Sequence, residues 1–223
     1  MGIITGNGIQ KIYKTGNEDF YALKGVDIDI PEKSLTILKG RSGSGKTTLL
    51  NILSALDEPS SGEVYFDGRA FSTLSIKEKE LIRRNEIGFV FQSVALIPIM
   101  NAYENVEFAL RLVDDKENKD ERIKNVLSLV NMGERLKHMP AQMSGGEQQR
   151  IAIARAIVKR PKVVFADEPT GALDTENGLK VMKLFRELIE KEGITIVMTT
   201  HDPNLMELGD VVYEMEDGEL SGR

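Results

Sequence analysis

Three glycines, Gly40, Gly43 and Gly45, stand between an apolar run, Ser34-Leu35-Thr36-Ile37-Leu38, and a segment of helical periodicity from Lys46 to Ala55. The stretch Gly40-Arg41-Ser42-Gly43-Ser44-Gly45-Lys46-Thr47 matches the pattern G-x-x-x-x-G-K-[ST]. Glycines here let successive backbone N–H groups turn inward onto an anion, a geometry that a Cβ would obstruct. The helix that follows presents its positive end to the same anion. Lys46 then faces the β- and γ-phosphates of a nucleoside triphosphate, and Thr47 is placed to ligate Mg²⁺. A glycine-rich turn with a chance Lys-Thr is the bland alternative. A strand entering the loop and a helix leaving it argue against that alternative, and they leave the chain few architectures.

The periodicity elsewhere switches between strand-like and helix-like, as in an α/β fold. Glu63 to Phe66 reads as a short strand closed by Asp67-Gly68, and Ile87-Gly88-Phe89-Val90-Phe91 as a buried one. Asn101 to Val113 and Glu121 to Asn131 read as helices, with an exposed charged loop, Asp114 to Asp120, between them. A helix from Gly145 to about Lys159 stops before Pro161. Strands are expected at Lys162 to Ala166 and Thr195 to Thr199, flanking a helix from Glu176 to Lys191, with Val211 to Met215 as a last strand. The segment 93–158 is rich in helix, so a single domain over 1–223 with a helical insertion there is expected.

Composition removes several classes. Without cysteine there are no disulfides, thiolate metal sites or thiol catalysis. His138 and His201 are too few and too far apart for a histidine-built metal centre. A net charge of −6 gives no general affinity for nucleic acid backbone. The first residues lack the basic start and apolar run of a signal peptide, and the longest apolar stretch, Val94 to Met100, contains Pro98 and is far too short to span a bilayer. A cytoplasmic location is the expectation, with any membrane work done through another protein.

Lys162-Val163-Val164-Phe165-Ala166-Asp167-Glu168 is an apolar strand ending in two carboxylates. Alone it is a weak signal. Beside a phosphate loop, Asp167 can hold Mg²⁺ through water and Glu168 can act as general base toward an attacking water. Met143-Ser144-Gly145-Gly146-Glu147-Gln148-Gln149-Arg150 opens a helix with a hydroxyl and bare N–H groups. Taken alone, it would be a serine N-cap followed by glycines.

That segment resembles the signature of the ABC ATPases, usually written Leu-Ser-Gly-Gly-Gln/Glu, with Met143 in the place of leucine. The resemblance covers about residues 8 to 218. It implies a P-loop NTPase core with a parallel sheet, an N-terminal antiparallel β region and an inserted helical subdomain. It implies ATP and Mg²⁺ as ligands, with Arg41, Ser42, Gly43, Ser44, Gly45, Lys46, Thr47 and Thr48 around the phosphates. Ser144, Gly145 and Gly146 are implied to reach the γ-phosphate held by an opposite subunit, in a homodimer formed around ATP. Gln92 is similar to the glutamine that senses Mg²⁺ and the attacking water, and Asp174 to a residue of the loop through which subunits communicate. His201 is similar to the switch histidine that contacts the γ-phosphate, and Tyr13 to the aromatic that stacks on adenine. Met139, before Pro140, stands where tyrosine is common.

Arg83 to Gln92, Phe165 to Asp174 and Thr200-His201-Asp202-Pro203 together resemble the group of lipoprotein-release, macrolide-export and antimicrobial-peptide-resistance ATPases. Cell-division and amino-acid-uptake ATPases are near relatives, and a soluble ABC ATPase acting on nucleic acid is the alternative from another class. With one copy of each motif and no apolar span, the expected partner is a separate membrane-spanning permease. The apolar run after Gln92 is expected to supply part of its docking groove.

Overall fold

The computed structural model describes residues 2–16, 18–113 and 118–221. Two sheets organise the chain. Strands β1 (Ile4–Thr15), β2 (Glu18–Ile30), β4 (Ser61–Phe66) and β5 (Arg69–Ala70) form an antiparallel sheet in the order β2-β1-β4-β5. Register shifts along β1 and β2 mark bulges, which increase the local twist of the pair. Strands β3 (Leu35–Lys39), β6 (Ile87–Val90), β7 (Val163–Ala166), β8 (Thr195–Thr200), β9 (Val211–Glu216) and β10 (Glu219–Ser221) form the second sheet, ordered β10-β9-β3-β8-β7-β6. Its pairs are parallel except for the β9–β10 hairpin.

The parallel strands are buried on both faces because each face has its own core. Leu35, Ile37, Val164, Ala166, Ile196 and Met198 join one cluster, while Leu38, Val163, Phe165 and Val197 join the other. The alternation is the period-two geometry of a strand. The first core is closed by helices α3 (Ala102–Arg111), α4 (Lys119–Leu129), α5 (Gly145–Ile157) and α6 (Thr175–Glu192). The second is closed by α1 (Lys46–Leu53), by Ile82 of α2 (Ile76–Asn85) and by the antiparallel sheet. A short α7 (Pro203–Met206) follows β8.

Several boundaries differ from the sequence reading for identifiable reasons. Asn101 lies outside α3 because its side chain accepts from the Glu104 N–H at 2.9 Å while Glu104 accepts from the Asn101 N–H at 2.8 Å. Lys119 and Asp120 belong to α4 rather than to a charged loop, since Asn118 is the cap and Asp120 and Glu121 suit the positive end of the helix. Residues 114–117 of that expected loop lie outside the described ones. Val211–Glu216 is not the last strand: Asp217 and Gly218 (φ 45° and 84°) turn the chain back into β10.

Gly88 sets the approach of α5 to β6. A Cβ there would lie 2.7 Å from the carbonyl oxygen of Ala156 and 3.1 Å from Val164 Cγ2. Gly88→Ala therefore forces helix and strand apart. We expect denaturant or thermal unfolding to show a loss of about 1–3 kcal/mol, as for other overpacked cores.

Candidate functional site

The parallel strands β3, β8, β7 and β6 end side by side, and the loops leaving them share one cavity. It is about 690 Å³, lined by the phosphate-loop residues Arg41, Ser42, Gly43, Gly45, Lys46, Thr47 and Thr48, by Gln92, Glu168 and His201, and by Phe20 and Ala22. Gly45 is required on two counts: its φ is 103°, and a Cβ would stand 2.6 Å from the carbonyl oxygen of Ala22. Lys46 is 5% exposed, and its ammonium donates to the carbonyls of Gly40 (2.8 Å) and Arg41 (2.9 Å). Those bonds hold the ammonium at the loop, positioned for the charge of a polyphosphate.

Four of the expected residues meet opposite the loop. Thr47 Oγ1 lies 3.2 and 3.1 Å from the two carboxylate oxygens of Asp167. Gln92 Nε2 donates to Glu168 Oε2 at 3.2 Å, and His201 Nδ1 stands 3.4 Å from the same oxygen. Glu168 has a φ of 43°, a left-handed conformation disfavoured for a residue carrying a Cβ. Such strain persists where the surroundings over-determine it. Its N–H donates to Thr199 Oγ1 at 2.8 Å, and Thr199 in turn donates to Asp167 Oδ1 at 2.7 Å.

Other expected residues stand apart from this cavity. Ser144 is exposed and caps α5, accepting from the Glu147 N–H at 3.3 Å, while Glu147 accepts from the Ser144 N–H at 2.8 Å. The Ser144 backbone bond holds the Glu147 carboxyl below its ordinary pKa. Gly145 is exposed and Gly146 is buried against Asn177. Asp174 caps α6, accepting from the Asn177 N–H and Nδ2 at 2.8 Å each, which lowers its pKa. It lines a neighbouring hollow of about 400 Å³ that also touches Glu168 and His201.

Tyr13 is the register partner of Phe20 across β1 and β2. Phe20 walls the cavity; Tyr13 is 40% exposed with its hydroxyl 3.1 Å from Asp57 Oδ2. The sequence reading missed Phe20 and Thr199. Two consecutive threonines closing a buried strand, just before His201, were the available signal for the second.

The model of the family described as ABC transporter matches residues 23–171. The chain belongs to the ABC transporter family. An ABC transporter ATP-binding protein of Methanocaldococcus jannaschii, MJ0796, is 45% identical over 95% of this chain and 92% of its own. The dimeric post-hydrolysis structure of the MJ0796 cassette, bound to ADP and Pi, superposes with a TM-score of 0.89 at 41% identity, covering 98% of this chain and 97% of that one. The macrolide export ATP-binding/permease protein MacB of Syntrophobacter fumaroxidans is 41% identical over 98% of this chain, which spans 31% of that protein. The lipoprotein-releasing system ATP-binding protein LolD 2 of Rhodopirellula baltica is 40% identical over 98% of this chain and 88% of its own. The architecture is that of the ABC ATPases, an antiparallel N-terminal sheet beside a parallel one. This member is an ATP-binding, ATP-hydrolysing subunit of a transporter.

Lys46→Ala removes the charge at the cavity floor and leaves two loop carbonyls without their donor. The expected result is weaker ATP binding and at least about a 100-fold loss of turnover, measured by nucleotide titration and phosphate release.

Proposed function

We propose that two copies of this chain close around ATP and power a separate membrane-spanning permease in an export or mechanotransmission system for antimicrobial peptides, macrolides or lipoproteins. One observation carries the dimer: the cavity gathers Lys46, Thr47, Gln92, Glu168 and His201 from one chain, while the exposed N-terminus of α5 with Ser144 and Gly145 stands outside it. The dimeric state of the MJ0796 cassette supports the same reading. The macrolide-export and lipoprotein-releasing relatives support the class of system.

In this reading the N–H groups of the phosphate loop and the Lys46 ammonium take the β- and γ-phosphates, exchanging the Gly40 and Arg41 carbonyls for phosphate oxygens. The Phe20–Tyr13 pair supplies apolar surface for the adenine. The oxygen donors Thr47 Oγ1 and Asp167 suit Mg²⁺, which takes one or two protein ligands and completes its shell with phosphate and water. Among the described residues no cluster of three or more His, Asp or Glu could hold a metal without the nucleotide. Gln92 would join Thr47 and Asp167 around it. Bound Mg²⁺ would neutralise charge across the two phosphates. Glu168 takes the proton of the water that attacks the γ-phosphorus as the bond to ADP breaks. Gln92 and His201, both on the Glu168 carboxylate, orient that water and the γ-phosphate. Ser144, Gly145 and Gly146 of the second copy, with Asp174 at the seam, complete the site.

Glu168→Gln keeps the size of the side chain but cannot accept the proton. ATP should still bind, hydrolysis should fall to near zero, and an ATP-dependent dimer should accumulate on size-exclusion chromatography. A monomer with and without ATP counts against the closed dimer.

The permease docks in a groove of about 430 Å³ lined by Leu56, Phe89, Phe91, Phe108 and Leu112, with Ala95 and Ile97 from the run after Gln92. Leu96 of that run packs on the core instead, because Val94 and Ala95 turn left-handed (φ 59° and 49°) and redirect the chain. Arg83, Arg155 and Lys159 also line the groove, each bonded to backbone carbonyls. Burial pushes the Lys159 ammonium down to about 8, so an acidic residue on the permease segment that docks there would be favoured. Among the described residues no helix is long and apolar enough to cross a membrane, and the permease would hold the subunit at the inner membrane face. Phe108→Glu, at a half-exposed position, should abolish permease-stimulated hydrolysis and co-purification with the permease while leaving basal turnover within about twofold. Retention of full stimulation would place docking elsewhere.

A further inference from the structure

We infer that Thr199 is a positioning residue for ATP hydrolysis, holding both carboxylate-bearing residues at the end of β7 through one hydroxyl. The inference rests on the roles proposed for Asp167 and Glu168. Thr199 is fully buried on β8, the strand beside β7. Its Oγ1 lies 2.8 Å from the Glu168 nitrogen and 2.7 Å from Asp167 Oδ1. An amide N–H can only donate, so the Thr199 oxygen accepts from Glu168 and its single hydrogen is left for Asp167.

Each bond has a separate consequence. On Asp167, Thr199 is a second hydroxyl alongside Thr47, which approaches both oxygens at 3.2 and 3.1 Å. With donors from two directions the plane of the carboxylate is fixed, as outer partners fix the ligands of metal sites. On Glu168, the Thr199 oxygen takes the N–H of a peptide whose residue sits at φ 43°. Without that acceptor the N–H is left unpaired beside the core, and rotation of the Asp167–Glu168 peptide becomes the way to satisfy it. Rotation there swings the Glu168 carboxylate away from Gln92 and His201.

The hydroxyl is not needed to build the sheet. Thr36, on the other neighbour of β8, is equally buried, and its Oγ1 has no hydrogen-bond partner among the described residues. A threonine in this core is therefore tolerated without a bridging role, whereas the Thr199 hydroxyl is used in both directions at the reacting end of the strand.

Thr199→Val keeps the shape and removes only the hydroxyl. In the purified protein we expect a drop in kcat of about 10–100-fold, the usual effect of losing such an outer partner, with the KM for ATP nearly unchanged. Independently of turnover, hydrogen exchange in the nucleotide-free protein should speed selectively at the Glu168 amide, with protection retained in β3 and β8. Thr199→Ser should recover most of the rate and the protection. Thr199→Ala, run alongside, removes the hydroxyl with different packing and should match valine. Unchanged kcat and Glu168 exchange in the valine and alanine variants overturn the inference, and so does a rate loss that serine does not recover. Glu168→Gln in the same assay separates the layers. If it is inactive while Thr199→Val is normal, only the role of Thr199 falls; if it turns over normally, the base assignment and this inference fall together.

Discussion

The molecule is arranged around the charge of a triphosphate, which no ordinary protein surface can hold without many aligned donors. The loop that supplies them follows β3, a strand with a core on each side. The strand order β3-β8-β7-β6 then decides what else arrives. Parallel strands expose their carboxyl ends at one edge, so Lys46, His201, Asp167 with Glu168, and Gln92 leave four adjacent strands toward the same crevice. Residues far apart in the chain meet because adjacency in a parallel sheet does not follow adjacency in sequence.

The cavity at these strand ends, walled on one side by Phe20 and Ala22 of β2, is open to solvent. The helix start at Ser144 and the cap at Asp174 are finished local structures: each has its side chain engaged with its own helix, and each lies exposed. In the proposed dimer, the exposed start of α5 at Ser144 and Gly145 would face the phosphate held by the other copy. The same geometry, a cap in one chain, would then become a completing wall in the proposed pair.

Chemistry confined to a few consecutive residues was legible in the sequence. The phosphate loop, the strand ending in Asp167 and Glu168, and the helix after Ser144 all have local causes: glycine conformation, apolar runs and capping. Much of the antiparallel sheet was not, because β1 and β2 are long and bulged, and the edge strand β2 opens on the mixed pattern Glu18-Asp19-Phe20-Tyr21 in place of clean alternation. Helix α2 carried its own signal in Ser75 and Glu78, a capping box that the apolar-poor sequence around it masked. Thr199 was out of reach for a different reason. Its importance lies in contacts to residues more than thirty positions earlier, and only the pairing of β7 with β8 brings them within 2.8 Å.

Two of the left-handed backbone sites among the described residues lie at either end of the Gln92–Glu168 hydrogen bond. Glu168 is left-handed at one end of the Gln92–Glu168 hydrogen bond, and Val94 and Ala95 are left-handed just beyond the other. The second pair is held by Arg155, which donates to both carbonyls at 3.1 and 2.6 Å and itself lines the apolar groove. Arg155 thus pins two strained residues from the groove side, and Gln92 lies two residues from the first of them. Residues in costly conformations persist only where their surroundings hold them, and here one side chain does so. The groove and the Glu168 carboxylate are joined in this way by Arg155, the three residues Ser93, Val94 and Ala95, and Gln92.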